Sequence, residues 1–113
     1  MTEQKSAIVV FSRFLTAARE IHPFIEIQQV QILLEIARKP LSTMKELADA
    51  TDVALSSISR NLDALGDEHR KGTPGMGLVA KDRDPREPRR MVAWLTPKGK
   101  EVVKGLLEAV GPS

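Results

Sequence analysis

The apolar positions of the chain fall into five stretches of helical period and two of strand character. Over residues 5–21, Ala7, Ile8, Phe11, Phe14, Leu15 and Ala18 recur at three- and four-residue steps, which predicts a helix with one apolar stripe. His22-Pro23 closes it, because the residue before a proline is pushed out of helical geometry. A second helix is predicted over 26–38, with Ile27, Val30, Leu33, Leu34 and Ala37 turned inward. Ile32 and Ile36 widen that face, so this helix is expected at the centre of the fold. Arg38 and Lys39 suit its negative end, and Pro40 stops it.

Thr43-Met44-Lys45-Glu46 fits a capping box, in which hydroxyl and carboxylate satisfy free amides at a helix start. The short helix that follows runs to about Ala50 and turns Met44, Leu47 and Ala48 inward. After Thr51-Asp52-Val53, the stripe Leu55, Ile58, Leu62 and Leu65 predicts a fourth helix over 54–66, ended by Gly66. Its opposite side carries Ser56, Ser57, Ser59, Arg60 and Asp63. The polar stretch 67–77 holds Gly72, Thr73-Pro74-Gly75 and Gly77 and reads as a loop. Leu78-Val79-Ala80 and Met91-Val92-Ala93-Trp94-Leu95 are short strand candidates within a hairpin over 78–95. Pro85 and Pro88 are expected to keep the tip out of the ladder, so that its arginines project as a finger. Thr96-Pro97 then starts a last helix over 97–110, built on Val102, Val103, Leu106, Leu107 and Val110 and weakened by Gly105.

The 113 residues, 42% hydrophobic and 28% charged, are expected to form one soluble domain over 1–113. The lack of cysteine excludes disulfides, cysteine-held zinc and iron–sulfur clusters, and thiol redox sensing. No apolar run approaches the roughly 20 residues that span a bilayer, and no signal-peptide pattern opens the chain, so a cytoplasmic location is expected. The net charge is only +2, but residues 54–100 hold ten Lys and Arg against six Asp and Glu while both flanks are slightly acidic. Lys81, Arg83, Arg86, Arg89, Arg90, Lys98 and Lys100 crowd into that segment against Asp82, Asp84 and Glu87. Such a patch suits a polyanion, whose phosphates release counterions on contact, or is simply a solvated charged hairpin. His22 and His69 have no metal-ligand spacing, and neither a phosphate-binding glycine loop nor a nucleophile with a nearby base is evident. No metal or cofactor is expected, and catalysis is not.

Two short helices joined by a tight turn and followed by a basic hairpin can place the second helix in a major groove and the hairpin on adjacent phosphates or the minor groove. Ser56, Ser57, Ser59 and Arg60 then sit on the exposed face where small hydroxyls allow close approach. The competing readings are plain helix-surface polarity for the serines and a salt bridge to a neighbour such as Asp63 for Arg60.

At these residues the chain resembles a known family. Glu46-Leu47-Ala48 and Ser56-Ser57-Ile58-Ser59-Arg60-Asn61-Leu62-Asp63-Ala64-Leu65 are similar to the helix-turn-helix of MarR-type winged-helix regulators. Gly77-Leu78-Val79, Asp84-Pro85 and Leu95-Thr96-Pro97-Lys98-Gly99 resemble that family's first wing strand, wing tip and following helix start, in order, over residues 27–103. The resemblance implies a mainly α winged helix-turn-helix fold with a small β-hairpin, the helix-turn-helix at 43–66 and the wing at 78–95. It implies a homodimer built from the terminal helices 5–21 and 97–110, bound to a pseudo-palindromic double-stranded DNA site as a transcriptional repressor. Ser56, Ser57 and Arg60 match DNA-contacting positions of the second helix. Arg89 and Arg90 are the nearest counterparts of arginines that enter the minor groove, one residue farther from Asp84-Pro85 than is usual. With Ser59, Arg83 and Arg86 they complete the expected DNA-binding set. Members of the family often bind small aromatic ligands between the dimer and DNA-binding parts, and a dedicated repressor without a small-molecule effector fits this sequence equally well.

The chain departs from the family pattern at four places. Ala54 stands where a serine or threonine cap is common, so Asp52 is the expected cap of the fourth helix from an earlier position. Leu55 replaces a polar residue; it completes the core stripe or touches a thymine methyl, and the core is preferred. The connection from Leu65 to Gly77 is long, and His69-Arg70-Lys71 on it reads as solvated loop before phosphate contact. The last helix is short, so dimerisation is expected to rely heavily on the first helix or to use a different arrangement. The runner-up function is a winged-helix protein-interaction module whose arginines meet an acidic partner.

Overall fold

A computed structural model describes residues 2–70 and 73–111. The helices are α1 (Thr2–Ile21), α2 (Ile27–Arg38), α3 (Met44–Thr51), α4 (Leu55–Leu65) and α5 (Pro97–Val110). The strands are β1 (Ser42–Thr43), β2 (Glu68–Arg70), β3 (Thr73–Pro74), β4 (Val79–Asp84) and β5 (Glu87–Leu95). None of the described helices is long and apolar enough to cross a membrane.

The core forms where α2, α3 and α4 meet the base of the hairpin and the inner side of α5. Ile32, Leu33 and Ile36 of α2, Leu47 of α3, and Ile58, Leu62 and Leu65 of α4 are buried there with Leu78, Val79, Ala93, Val103 and Leu106. The central place expected for α2 is thus observed, with one correction: Ile27 is 75% exposed, because α2 begins beyond the edge of the core. α1 packs along α5, burying Ala18 and half-burying Phe14, Ala17 and Ile21. The rest of its stripe, Ala7, Ile8, Phe11 and Leu15, is exposed in the single chain.

Local chemistry accounts for the starts of α3 and α5. At α3 the Thr43 hydroxyl accepts from the Glu46 amide at 3.0 Å, and the Glu46 carboxylate accepts from the Thr43 amide at 2.9 Å, completing the anticipated capping box. At α5 the Thr96 hydroxyl accepts from the Gly99 amide at 3.0 Å, and Pro97 occupies the first turn. The turn between α3 and α4 differs from expectation. Asp52 adopts the left-handed conformation (φ 56°) and ends α3, its amide bonded to the Ala48 carbonyl, so it does not cap α4. Aspartate tolerates that conformation better than most residues. Extended Ala54 precedes α4 without a side-chain cap.

Three strands form one antiparallel sheet in the order β1-β5-β4. β1, absent from the sequence reading, pairs Ser42 with Ala93 and Thr43 with Val92. β4 and β5 run in register from Val79↔Leu95 to Arg83↔Met91, then shift to Asp84↔Glu87. The hairpin strands are therefore longer than expected and the turn is only Pro85-Arg86. Pro88, Arg89 and Arg90 fall in the register shift, opposite no β4 residue, which accommodates a proline lacking the ladder donor. The segment read as a loop after α4 contains a second, two-stranded ladder, β2 with β3, beside the end of α4. His69 and Arg70 therefore lie in a strand rather than the expected loop, because β2 finds a ladder partner in β3; Lys71, Gly72 and the side chains of 68–70 lie outside the described residues.

Candidate nucleic-acid interface

The final turn of α4 is held by backbone rather than by side chains. Met76 and Leu78 amides donate to the Ala64 and Leu65 carbonyls at 2.9 and 2.7 Å, and the Gly77 amide donates to Gly66 at 2.8 Å. These bonds satisfy carbonyls that a helix end leaves free. Gly75 permits the approach, since a Cβ there would lie 2.2 Å from the Gly66 carbonyl oxygen. The Thr96 hydroxyl donates to the Gly77 carbonyl at 2.7 Å, and the Lys98 ammonium to the Met76 carbonyl at 2.9 Å. Through these links the end of α4 and the start of α5 form one rigid junction.

With α4 so held, Ile58, Leu62 and Leu65 face the core, and helical geometry puts Ser56, Ser59, Arg60 and Asp63 on the opposite side. Ser56 and Arg60 are exposed; Ser57 and Ser59, on the flanks, are half-buried. Leu55 is 52% exposed rather than part of the core, because its position at the first turn carries it past the last core neighbour. Asp63 does not pair with Arg60. Its carboxylate accepts from the Lys81 ammonium of β4 at 2.7 Å, one turn along the helix from Ser59 and Arg60. That bond sets the base of the hairpin beside the exposed face of α4, a role for Lys81 that the sequence reading counted only as one charge in a basic segment.

At the hairpin tip, the Asp84 carboxylate accepts from the Arg86 amide at 2.9 Å, which braces the Pro85-Arg86 turn, and its side chain lies 3.7 Å from the Arg86 guanidinium. Asp84 is nearly buried while the Arg86 side chain is 86% exposed. Arg83 donates to the Pro88 carbonyl at 3.2 Å, closing the register shift from the other strand. Arg89 and Arg90 are exposed, and among the described residues neither they nor Arg60 enter an ion pair. The two cations at the C-terminal end of α2 are committed: Arg38 pairs with Glu35, which raises its pKa by hydrogen bonding and then by charge, and Lys39, just past the helix, pairs with Glu46. Among the described residues of α4 and the hairpin, the arginines outside ion pairs are Arg60, Arg83, Arg89 and Arg90.

A cavity of about 600 Å³ opens between the end of α1, the start of α2, the 73–76 segment and α5. Ile21, Phe24, Gln29, Met76, Leu78 and Lys98 are among its lining residues.

Helix α3, a tight turn and exposed α4, followed by a hairpin whose base is bonded to α4, define a winged helix-turn-helix. Comparison with solved structures narrows the class. The chain superposes on MarR with a TM-score of 0.66 and 27% identity, covering 96% of this chain and 74% of that one. It matches a mutant MarR from E. coli complexed with operator DNA with a TM-score of 0.68 and 22% identity over 98% of this chain and 69% of that one. It matches the PcaV transcriptional regulator from Streptomyces coelicolor, in complex with its natural ligand, with a TM-score of 0.62 and 24% identity. That alignment covers 76% of this chain and 55% of PcaV. No protein-family model and no curated protein matches the sequence. The fold is that of the MarR-type winged-helix regulators, as the sequence motifs imply.

Proposed function

We propose that this chain is a homodimeric transcriptional regulator that binds a specific double-stranded DNA site and represses by occupying it. α4 reads the major groove with Ser56, Ser57, Ser59 and Arg60, and the wing places Arg83, Arg86, Arg89 and Arg90 on the adjacent groove or phosphates. The observation that carries this reading is the placement of Arg60, Arg89 and Arg90, in no ion pair among the described residues, on two elements that Lys81 and Asp63 bond together. Unpaired exposed arginines are available to phosphate or to guanine, whereas arginines held in ion pairs would have to be released first. The MarR structure with operator DNA lends the same fold a precedent.

The dimer is supported by apolar surface that the single chain leaves in water: Ile8, Phe11 and Leu15 on α1, and Leu107 and Val110 on the adjoining α5. A two-fold dimer would present its two α4 helices to half-sites about one helical turn apart.

Selection of bound sequences from random duplexes, followed by a salt titration, tests the reading. The expected result is an enriched two-fold motif, bound with a log–log salt slope that falls by roughly 0.9 for each phosphate contact removed by Arg86→Ala, Arg89→Ala and Arg90→Ala together. Failure to enrich any motif, or an unchanged slope in the triple variant, would move the wing to an acidic protein partner.

A further inference from the structure

α2 and α4 each send fully buried aliphatic side chains into the core; that stripe sets the rotation of α4 about its axis coarsely, but apolar contacts have no bond direction with which to fix it finely. A chain of side-chain amides supplies direction. The Glu26 amide donates to Gln29 Oε1 at 2.9 Å, Gln29 Nε2 donates to Asn61 Oδ1 at 3.4 Å, and Asn61 Nδ2 donates to Gln28 Oε1 at 3.3 Å. Gln29 and Asn61 are only 4% and 3% exposed, yet both sit at positions where an aliphatic residue would bury more readily. Asn61 follows Arg60 directly and lies about 100° round α4 from it, so it meets α2 while Arg60 meets solvent.

We infer that Asn61 is a positioning residue: held by Gln29 and Gln28, it fixes the rotation of α4 and thereby aims Ser56, Ser59 and Arg60 at base edges. The inference rests on the reading of α4 as the DNA-reading helix. Donor and acceptor patterns in the groove reward side chains only within a narrow geometry, and a displacement of about an ångström is enough to lose them. Phosphate contacts from the wing are less demanding.

The test compares affinity for the selected motif with affinity for a one-base-pair variant of it, at a temperature where each protein is folded by circular dichroism. A ratio of affinities is independent of the folded fraction, so purely structural damage leaves it unmoved. Asn61→Leu should reduce the ratio toward one, a loss of roughly tenfold for a well-read position, and should leave affinity for unrelated duplex near that of the wild type. Gln28→Ala, which removes one half-buried bond, should reduce the ratio less. Ile32→Val, on α2 but outside the amide chain, should lower the melting temperature and keep the ratio. A wild-type ratio in folded Asn61→Leu overturns the inference; should that variant fail to fold, the same ratio measured on Gln28→Ala decides. A wild-type protein that enriches no motif sinks the DNA reading itself and this inference with it.

Discussion

Two glycines of one helix should respond to the same substitution with opposite signs. By intrinsic propensity alone, Gly→Ala inside α5 stabilises by about 1 kcal/mol at either Gly99 or Gly105. At Gly105 the added Cβ meets nothing within 4 Å, so the gain of about 0.5–1 kcal/mol should be realised in full. At Gly99 the Cβ would stand 2.0 Å from the Leu78 carbonyl oxygen and 3.0 Å from its carbon, both backbone. Leu78 has no freedom to retreat. Its side chain is fully buried, its carbonyl accepts from the Thr96 amide at 3.0 Å, and its own amide donates to Leu65 at 2.7 Å. Overpacking of this kind costs about 1–3 kcal/mol, and stretching the Thr96 bond adds about 1 kcal/mol. Set against the propensity gain, Gly99→Ala should destabilise by about 1–3 kcal/mol. Near 4 °C of melting temperature per kcal/mol for a chain of this size, that is a fall of roughly 4–12 °C, against a rise of roughly 2–4 °C for Gly105→Ala. Thermal unfolding by circular dichroism at one fixed protein concentration reads both, since the proposed dimerisation would make the midpoint concentration-dependent. A Gly99→Ala midpoint at or above that of the wild type would refute the close packing of α5 on the Leu78 backbone.

Arg60→Ala should lower discrimination at one position of the selected site by about 1–3 kcal/mol, measured by competition with altered duplexes; equal loss on every sequence would mark Arg60 as a phosphate contact instead. Thr43→Ala removes the hydroxyl half of the α3 capping box and should cost about 1 kcal/mol in urea unfolding, whereas a change within error would show that the cap is not stabilising. Phe11→Glu acts on a side chain that is 66% exposed in the single chain, and loss of its burial should weaken the dimer by roughly 1–2 kcal/mol per protomer, tenfold or more in dissociation constant. Sedimentation equilibrium at micromolar concentration reads that change, and an unaltered dimer would place the interface elsewhere.

What the sequence determines by itself here is local. Period-3.6 stripes marked all five helices, and the starts of α3 and α5 were legible because Thr43 with Glu46, and Thr96 with Pro97, act through bonds between residues at most three apart. The two hairpin strands were legible as apolar runs, and the candidate site residues as the polar side of α4 and the basic segment after it. Tertiary structure decided the rest. Periodicity says which positions share a helix face but not where the neighbouring element stops, so Ile27 and Leu55 follow the core stripe in sequence and stand in solvent in the fold. Ladder partners belong to two segments at once, so the two-residue β1 and the extension of β4 and β5 to the Pro85-Arg86 turn depend on pairings that no single segment encodes. Asp52 looks locally like a cap, and only the path of the chain between α3 and α4 made it the left-handed end of α3. The pairing of Lys81 with Asp63 joins residues 18 apart, and that of Gln29 with Asn61 residues 32 apart. Each is chosen by packing after the helices exist, because a side-chain bond worth about 1 kcal/mol cannot by itself offset the entropy of closing such a loop.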